Sequence, residues 1–180
     1  MPNPTQPRAR PVPIGIDRMR PLPVLFSLIL MSCQWSAPPC PDTSAQAPAL
    51  SAGCLVVIDG SLLVVTERSG KISIPGGSSK DAESPRCTAH RETWEETGLN
   101  LQPAELIQVF DTGFHLYECV VHAESGEISP PLRFEVRNAF WLPLAEFSSH
   151  EWRFPEQRPV FEALVTARRR DQARQAAVGN

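Results

Sequence analysis

The sequence lacks the features that mark several classes of protein. No apolar run reaches the roughly 18 residues that a membrane-spanning helix needs. The five cysteines in 180 residues are too few for a disulfide scaffold, and their spacing lacks the paired CxxC pattern of a zinc site. The net charge of −3 gives no general basic field, so nucleic acid is not an expected partner. The hydrophobic fraction of 42% and charged fraction of 21% are typical of a globular domain.

Proline and charge are distributed unevenly along the chain. Eleven of the 19 prolines lie in residues 1–50, a density that disfavours both helix and sheet. Residues 1–50 carry a net charge of +2 and the rest carry −5. We therefore predict a proline-rich leader over residues 1–50, a folded domain over residues 51–168 and a polar tail over residues 169–180.

The leader contains a candidate targeting signal. Residues 19–33 have a basic start, ten mostly apolar residues and then Ser32-Cys33, which resembles a bacterial lipoprotein signal. Lipidation of Cys33 would tether the domain to a membrane through a linker over residues 34–50. We expect export to the periplasm or to a membrane surface, and a cytoplasmic protein with a disordered tail is the alternative. Nothing in the sequence indicates an oligomeric state.

The folded part mixes strands and helices without a regular βαβ repeat, which predicts an α/β domain with a mixed sheet between helices. Ser84 and Pro85 are a helix N-cap and first helical residue, and Gly98 is a suitable C-terminal cap, so a helix of about 13 residues lies between them. An Asp59-Gly60 turn predicts a hairpin after the first strand. The remaining expected elements are strands at Ala52–Ile58, Leu62–Thr66, Ile72–Ile74, Leu106–Thr112, Phe114–His122 and Val136–Leu142, and a terminal helix at Glu156–Ala177.

Four cysteines remain if Cys33 carries a lipid. An oxidising compartment could pair two of them, but the sequence does not say which. Cys54 and Cys119 lie in apolar strand patterns, which favours small buried residues.

The helix that begins after Ser84 carries an unusual charge pattern. Glu92, Glu95 and Glu96 stand at i, i+3 and i+4, so they share one helix face. They also lie near the C-terminal end of the helix, where the macrodipole disfavours anions by a few tenths to about 1 kcal/mol each. A pattern that breaks local rules in this way indicates a site, and a divalent cation such as Mg²⁺ would resolve the repulsion. The preceding Pro75-Gly76-Gly77 turn would let the backbone approach a metal or phosphate.

The same segment resembles the Nudix box, G-x5-E-x7-R-E-U-x-E-E-x-G-U, in which U is a bulky apolar residue. Every fixed letter is present between Gly77 and Leu99, and Thr93, at the first U position, is the one mild departure. The upstream hairpin, the glycine turn and a later strand that contains Trp141 are also similar to the family. The resemblance covers roughly residues 51–168.

What the resemblance implies is an α/β/α sandwich and metal-dependent hydrolysis of a diphosphate linked to a further group X. Mg²⁺ or Mn²⁺ would be held by the three glutamates and by the carbonyl of Gly76. Arg91 would orient the glutamates and would itself pair with Glu83. Water would attack phosphorus, and Glu135, shortly before the Trp141 strand, is the candidate loop acid for the general base.

Alternatives to this function remain within the same scaffold. They are a non-catalytic nucleotide sensor, a hydrolase of lipid-linked diphosphates in the cell envelope and an isomerase of a prenyl diphosphate. Tyr117 follows the box at a spacing seen in some diadenosine-polyphosphate hydrolases, but the alternation of its strand also suits a core position. The proline of some ADP-ribose hydrolases and the coenzyme A signature are not evident. The substrate is therefore expected only to be a small-molecule diphosphate.

Overall fold

The computed structural model describes residues 37–42, 46–132 and 134–178. The candidate signal over residues 19–33 and the candidate lipidation site Cys33 lie outside the described residues. Within these ranges no helix is both long enough and apolar enough to cross a membrane. The elements are β1 (Ser51–Leu55), β2 (Val57–Ile58), β3 (Ser61–Glu67), β4 (Ile72–Ser73), β5 (Gly76–Ser78), α1 (Pro85–Thr97), β6 (Leu101–Val109), β7 (Phe114–Val121), β8 (Val136–Pro143), a 3-10 helix (Leu144–Ser149) and α2 (Arg158–Val178).

Two four-stranded sheets form the centre of the fold. The first has the order β5-β1-β7-β6, in which β1 and β7 are parallel and the other neighbours are antiparallel. In the second, β3 pairs antiparallel with β2, β4 and β8. The predicted α/β class with a mixed sheet is confirmed.

The first apolar run does not form the single strand that we predicted over Ala52–Ile58. It breaks at Val56, so β1 joins the first sheet and β2 joins the second. Asp59 and Gly60 both have positive φ and form the expected hairpin turn between β2 and β3. A run that is buried on both faces has no alternation to show where it changes sheet, which explains the error.

Other boundaries also need correction. Gly76–Ser78, expected as part of a turn, pairs with β1 as an edge strand. β6 begins at Leu101 rather than Leu106, the 3-10 helix was not predicted, and α2 begins at Arg158 and continues to Val178. The helix α1 and the strand β8 lie close to their predicted positions, because caps and strong alternation define them locally.

The two helices cover opposite faces of the first sheet. Cys54 and Leu55 are neighbours on β1 and point to opposite sides. Cys54 belongs to a core cluster with Ala89 of α1, whereas Leu55 belongs to a cluster with Phe161 and Val165 of α2. The terminal helix α2 therefore packs on the core through Phe161 and Val165, with Leu164 partly buried at the edge.

Two disulfides join the four described cysteines. Cys54 and Cys119 are buried, as expected, and they link the parallel neighbours β1 and β7. Cys40 bonds to Cys87 in the first turn of α1. This second bond ties residues 37–42, which the sequence assigned to a leader, to the folded domain. A disulfide typically stabilises a fold by about 2–4 kcal/mol.

Candidate active site

The C-terminal half of α1 presents its glutamates to one side of the domain. Ser84 accepts a hydrogen bond from the backbone N–H of Cys87 at 3.2 Å, and Gly98 ends the helix in the left-handed conformation at φ 77°. The last turn holds no basic residue to offset the helix dipole. Local sequence thus fixes the length and phase of the helix that carries Glu92, Glu95 and Glu96.

A fourth carboxylate comes from the loop that precedes β8. One carboxylate oxygen each of Glu92, Glu95 and Glu135 lies within 4.8 Å of the other two. The loop is held against α1 because the N–H of Ser129 donates to the carbonyl of Thr97 at 2.8 Å and that of Leu132 donates to the carbonyl of Glu95 at 3.3 Å. The structure therefore brings Glu135 to the glutamates of the helix, although it lies far from them in sequence.

Arg91 fixes the orientation of these carboxylates. Its Nε and Nη2 atoms donate to the two oxygens of Glu83 at 2.8 Å each, and its Nη1 donates to Glu92 at 2.7 Å and to Glu95 at 2.9 Å. The hydrogen bond to Glu83 is the main cause that raises the pKa of Arg91. The guanidinium is therefore permanently charged and acts as a rigid fork between these carboxylates.

Glu83 anchors this fork. Burial would raise the pKa of Glu83, but the hydrogen bonds from Arg91 and from the backbone of Lys80, with the charge of Arg91, lower it to about 2. Its carboxylate also accepts from the hydroxyl of Thr88 at 3.0 Å. Glu83 is consequently ionised and fully paired at neutral pH.

Gly77 leaves the space that Glu92 occupies. A Cβ added to Gly77 would lie 2.5 Å from the carboxyl carbon of Glu92 and from one of its oxygens. Any side chain here would displace the carboxylate. Glycine is therefore required at this position because a side chain would collide with Glu92.

Glu96 has a different environment from the other glutamates. Its Oε2 accepts a hydrogen bond from the backbone N–H of Gly76 at 2.9 Å. Burial raises the pKa of Glu96 to about 8, the hydrogen bond from Gly76 opposes this, and the charges of Glu92, Glu135 and Glu67 raise the pKa further. Burial likewise raises the pKa of Glu92 despite its contact with Arg91. Without a cation, the surroundings of Glu92 and Glu96 therefore disfavour the ionised form of both carboxyl groups.

The donor set fits a hard divalent cation. Mg²⁺ and Mn²⁺ prefer carboxylate oxygens. The cluster offers one oxygen each from Glu92, Glu95 and Glu135 within 4.8 Å of one another. A bound cation would offset the burial that mainly raises the pKa of Glu96 and the repulsion that raises it further. Gly76 contacts the cluster through its N–H, and its carbonyl remains a predicted ligand.

Sequence reasoning missed a second set of polar residues beside the cluster. Glu67, at the end of β3, accepts a hydrogen bond from Arg153 at 2.6 Å and one from the Ser73 hydroxyl at 3.3 Å. Arg153 is positioned by its backbone, because its N–H donates to the carbonyl of Ile72 at 2.8 Å. Neither residue belongs to a motif, and no local signal could have found them.

Several other polar side chains of the domain contact neighbouring protein groups away from the carboxylate cluster. His90 is 1% exposed and its Nε2 lies 3.1 Å from the side-chain oxygen of Asn100, so it occupies a packing position. Tyr117 is buried on β7 and donates to Gln46 at 3.1 Å. Three consecutive arginines lie in the second half of α2. Arg169 and Arg170 are exposed, and Arg168 pairs with Glu118.

Comparison with known proteins identifies the family. The model of the NUDIX domain matches residues 47–164. The chain therefore belongs to the Nudix family, and the resemblance found in the sequence is confirmed.

Two curated relatives match parts of the chain. The peroxisomal coenzyme A diphosphatase ndx-8 of Caenorhabditis elegans is 31% identical over 116 residues, which cover 53% of this chain and 50% of that protein. A MutT-like protein of Streptomyces ambofaciens is 38% identical over 60 residues, which cover 33% of this chain and 39% of that protein. The chain thus spans half or less of the length of these relatives.

Solved structures share the fold. An ADP-ribose pyrophosphatase from Streptococcus suis superposes with a TM-score of 0.58 at 20% identity, over 69% of this chain and 93% of that one. A UDP-X diphosphatase superposes with a TM-score of 0.56 at 18% identity, over 71% and 66%. These likenesses establish the Nudix fold.

Proposed function

We propose that this protein hydrolyses the diphosphate bond of a nucleoside diphosphate linked to a further group X. The observation that carries the proposal is the carboxylate cluster of Glu92, Glu95 and Glu135, held by Arg91 beside Glu96. The names of the relatives, a coenzyme A diphosphatase, an ADP-ribose pyrophosphatase and a UDP-X diphosphatase, support a substrate of this class.

The glutamates would hold Mg²⁺ or Mn²⁺. When bound, the cation would supply positive charge to the diphosphate and lower the pKa of a water molecule. Arg91 keeps Glu92 and Glu95 aimed at a common point, so the ligands need no reorganisation. Metal ligation requires an ionised Glu96, whose pKa of about 8 means that binding releases a proton at neutral pH.

Glu135 is our candidate general base. It is exposed, comes from a loop, and makes no side-chain hydrogen bond or ion pair within the described part of the chain. Its carboxylate would accept the proton as the water oxygen bonds to phosphorus and the bond from phosphorus to the bridging oxygen breaks. The leaving phosphate takes the electron pair of that bond.

The test is product release by the full-length protein with both disulfides intact. The panel contains nucleoside diphosphate sugars, dinucleoside polyphosphates, nucleoside triphosphates and a prenyl diphosphate, each with Mg²⁺, with Mn²⁺ and with a chelator. Glu95→Gln is the site variant, and Glu105→Gln, at an exposed position on β6, is the matched control.

Metal-dependent cleavage of one class, lost in Glu95→Gln and kept in Glu105→Gln, is expected. Full activity of Glu95→Gln would contradict the metal site. Nucleotide binding without turnover would favour the sensor, and cleavage of the prenyl diphosphate alone would favour lipid-linked substrates.

We also propose that the domain functions outside the cytoplasm, tethered through Cys33. Two disulfides support this location, because reducing compartments keep thiols free. The check is alkylation of unreduced cell fractions with a maleimide, followed by mass spectrometry. Four protected cysteines in an envelope fraction are expected, whereas free thiols in a cytosolic fraction would show that the location is wrong.

A further inference from the structure

The two disulfides differ in their access to solvent. Cys54 and Cys119 are 0% and 5% exposed and belong to the core cluster that contains Ala89 of α1. Cys40 and Cys87 are both partly exposed, and the two residues on either side of Cys40 are exposed prolines. Thiol–disulfide exchange requires a thiolate to reach a sulfur of the bond. A thiol from solution can therefore react with the Cys40–Cys87 bond, while the bond in the core is protected.

The two sulfurs of the accessible bond have different backbone surroundings. Cys87 is the third residue of α1, and its N–H donates to the side chain of the capping residue Ser84 at 3.2 Å. The first turn holds no acidic residue that would offset the positive end of the helix dipole. Cys40 belongs to residues 37–42, which form no helix or strand. A thiolate is therefore stabilised more at Cys87 than at Cys40.

Two charged side chains lie next to the bond, and they offset each other. Arg86 precedes Cys87 on the helix, and its Nε lies 3.9 Å from the Oδ2 atom of Asp42. The same oxygen of Asp42 accepts a hydrogen bond from the side chain of Gln46 at 2.8 Å. The cation and the carboxylate thus face one another beside the disulfide, and the helix N-terminus remains the main difference between the two sulfurs.

We propose that the Cys40–Cys87 bond is a site of reversible modification by a low-molecular-weight thiol, which attaches to Cys40. The thiolate of that compound attacks Sγ of Cys40, and a new disulfide forms between them. The Cys40–Cys87 bond breaks, and its electron pair leaves on Sγ of Cys87 as a thiolate. Attack in this direction is favoured because the better stabilised thiolate is the better leaving group. In the reverse step Cys87 attacks the mixed disulfide, restores the bond and releases the small thiol.

The modification removes a covalent link between α1 and the residues that precede β1. Among the contacts that hold these residues, Gln46 accepts a hydrogen bond from the hydroxyl of Tyr117 at 3.1 Å, and Asp42 pairs with Arg86. A neutral hydrogen bond and an ion pair that is partly in solvent are weaker constraints than a disulfide. Residues 46–50 should therefore open more often in the modified protein, which would give solvent access to the buried Tyr117.

The test incubates the full-length oxidised protein with glutathione at about pH 7.5 and then traps free thiols with N-ethylmaleimide. Every protein carries Cys33→Ser, so that this thiol has no part in the reaction. Peptides are mapped without reduction by mass spectrometry. Glutathione on Cys40 with maleimide on Cys87 should be at least about fivefold more frequent than the reverse arrangement. The Cys54–Cys119 bond is the internal control and should stay intact.

Two variants in the same background compare the thiols directly. Cys40→Ser leaves the thiol of Cys87 free, and Cys87→Ser leaves the thiol of Cys40 free. Iodoacetamide reacts with the thiolate form, so at about pH 6.5 Cys87 should be alkylated at least about fivefold faster than Cys40. Equal rates would contradict the stabilisation of a thiolate at the helix N-terminus.

Hydrogen–deuterium exchange measures the opening of the segment. The backbone amides of Gln46, Ala47 and Ala49 should exchange about tenfold or more faster in the glutathione-modified protein than in the oxidised protein. The amides of β1, which pairs with β7, should be unchanged. The proposal would be overturned by a Cys40–Cys87 bond that does not react, by glutathione found equally on both cysteines, or by unchanged exchange at residues 46–50.

Discussion

The carboxylate cluster and the neighbouring pocket differ in how their polar groups are paired. In the cluster, Arg91 contacts three carboxylates and keeps them in place before any ligand arrives. The neighbouring pocket is lined by Gly76, Phe114, Phe154 and Gln157, and the side chain of Gln157 makes no hydrogen bond within the described residues. The cluster is preorganised by its own ion pairs, whereas the amide of Gln157 is not held in place by a hydrogen bond from the described residues.

The largest effect should come from Glu95→Gln. This substitution removes the negative charge of one proposed metal ligand. The kcat on the best substrate of the panel should therefore fall by about 100-fold or more. Steady-state kinetics check this, with Glu105→Gln as the control, and a kcat of Glu95→Gln at the wild-type level would contradict the metal site.

Arg91→Lys should have the next largest effect. Lysine keeps the charge but cannot contact Glu83, Glu92 and Glu95 together. We expect kcat/KM to fall by about 10–100-fold, as for other residues that orient metal ligands. Activity at the wild-type level would show that the orientation of the carboxylates is unimportant.

Glu83→Gln should lower the free energy of unfolding as well as the activity. The folded-state pKa of about 2 lies below the unfolded value of 4.5. The stabilisation is therefore fully present above pH 4.5 and is lost as the pH falls through 2. At pH 7, after allowance for solvent screening, the variant should lose roughly 2–3 kcal/mol of unfolding free energy.

Denaturant unfolding at a series of pH values tests this expectation, with Glu105→Gln as the exposed control. The difference between Glu83→Gln and wild type should shrink as the pH approaches 2. A difference that stays constant over this range would mean that packing, and not the ion pair, is responsible.

Glu96→Gln should have the smallest effect on stability, and in the opposite direction, although the loss of a metal ligand should also lower its activity. The folded-state pKa of about 8 lies above 4.5, so this group stabilises the metal-free fold below pH 4.5 and the contribution is lost as the pH rises through 8. The amide oxygen of the substituted side chain can keep the contact with Gly76 without the charge. At about pH 8.5 the melting temperature of the variant in chelator should exceed that of wild type by about 2–4 °C. Parallel melting curves from about pH 5 to 9 would contradict this.

Several features followed from the sequence alone because their causes are local. Ser84, Pro85 and Gly98 define α1 by capping, and the spacing of its glutamates places them on one face. The family and the α/β fold followed from the box in the same way. The expectation that Glu135 reaches this face came from the resemblance, and the structure places it there.

Only the tertiary structure decided the rest. The run over residues 51–58 divides between two sheets because its strand partners lie far away in sequence. The pairing of Cys40 with Cys87 and of Cys54 with Cys119 depends on the same long-range packing. Gln157 and Arg153 belong to no motif and meet Phe114 and Gly76 only because residues near 152 pair with β4. Spacing along one helix is fixed by geometry within a few residues, whereas proximity between segments depends on the whole packed core.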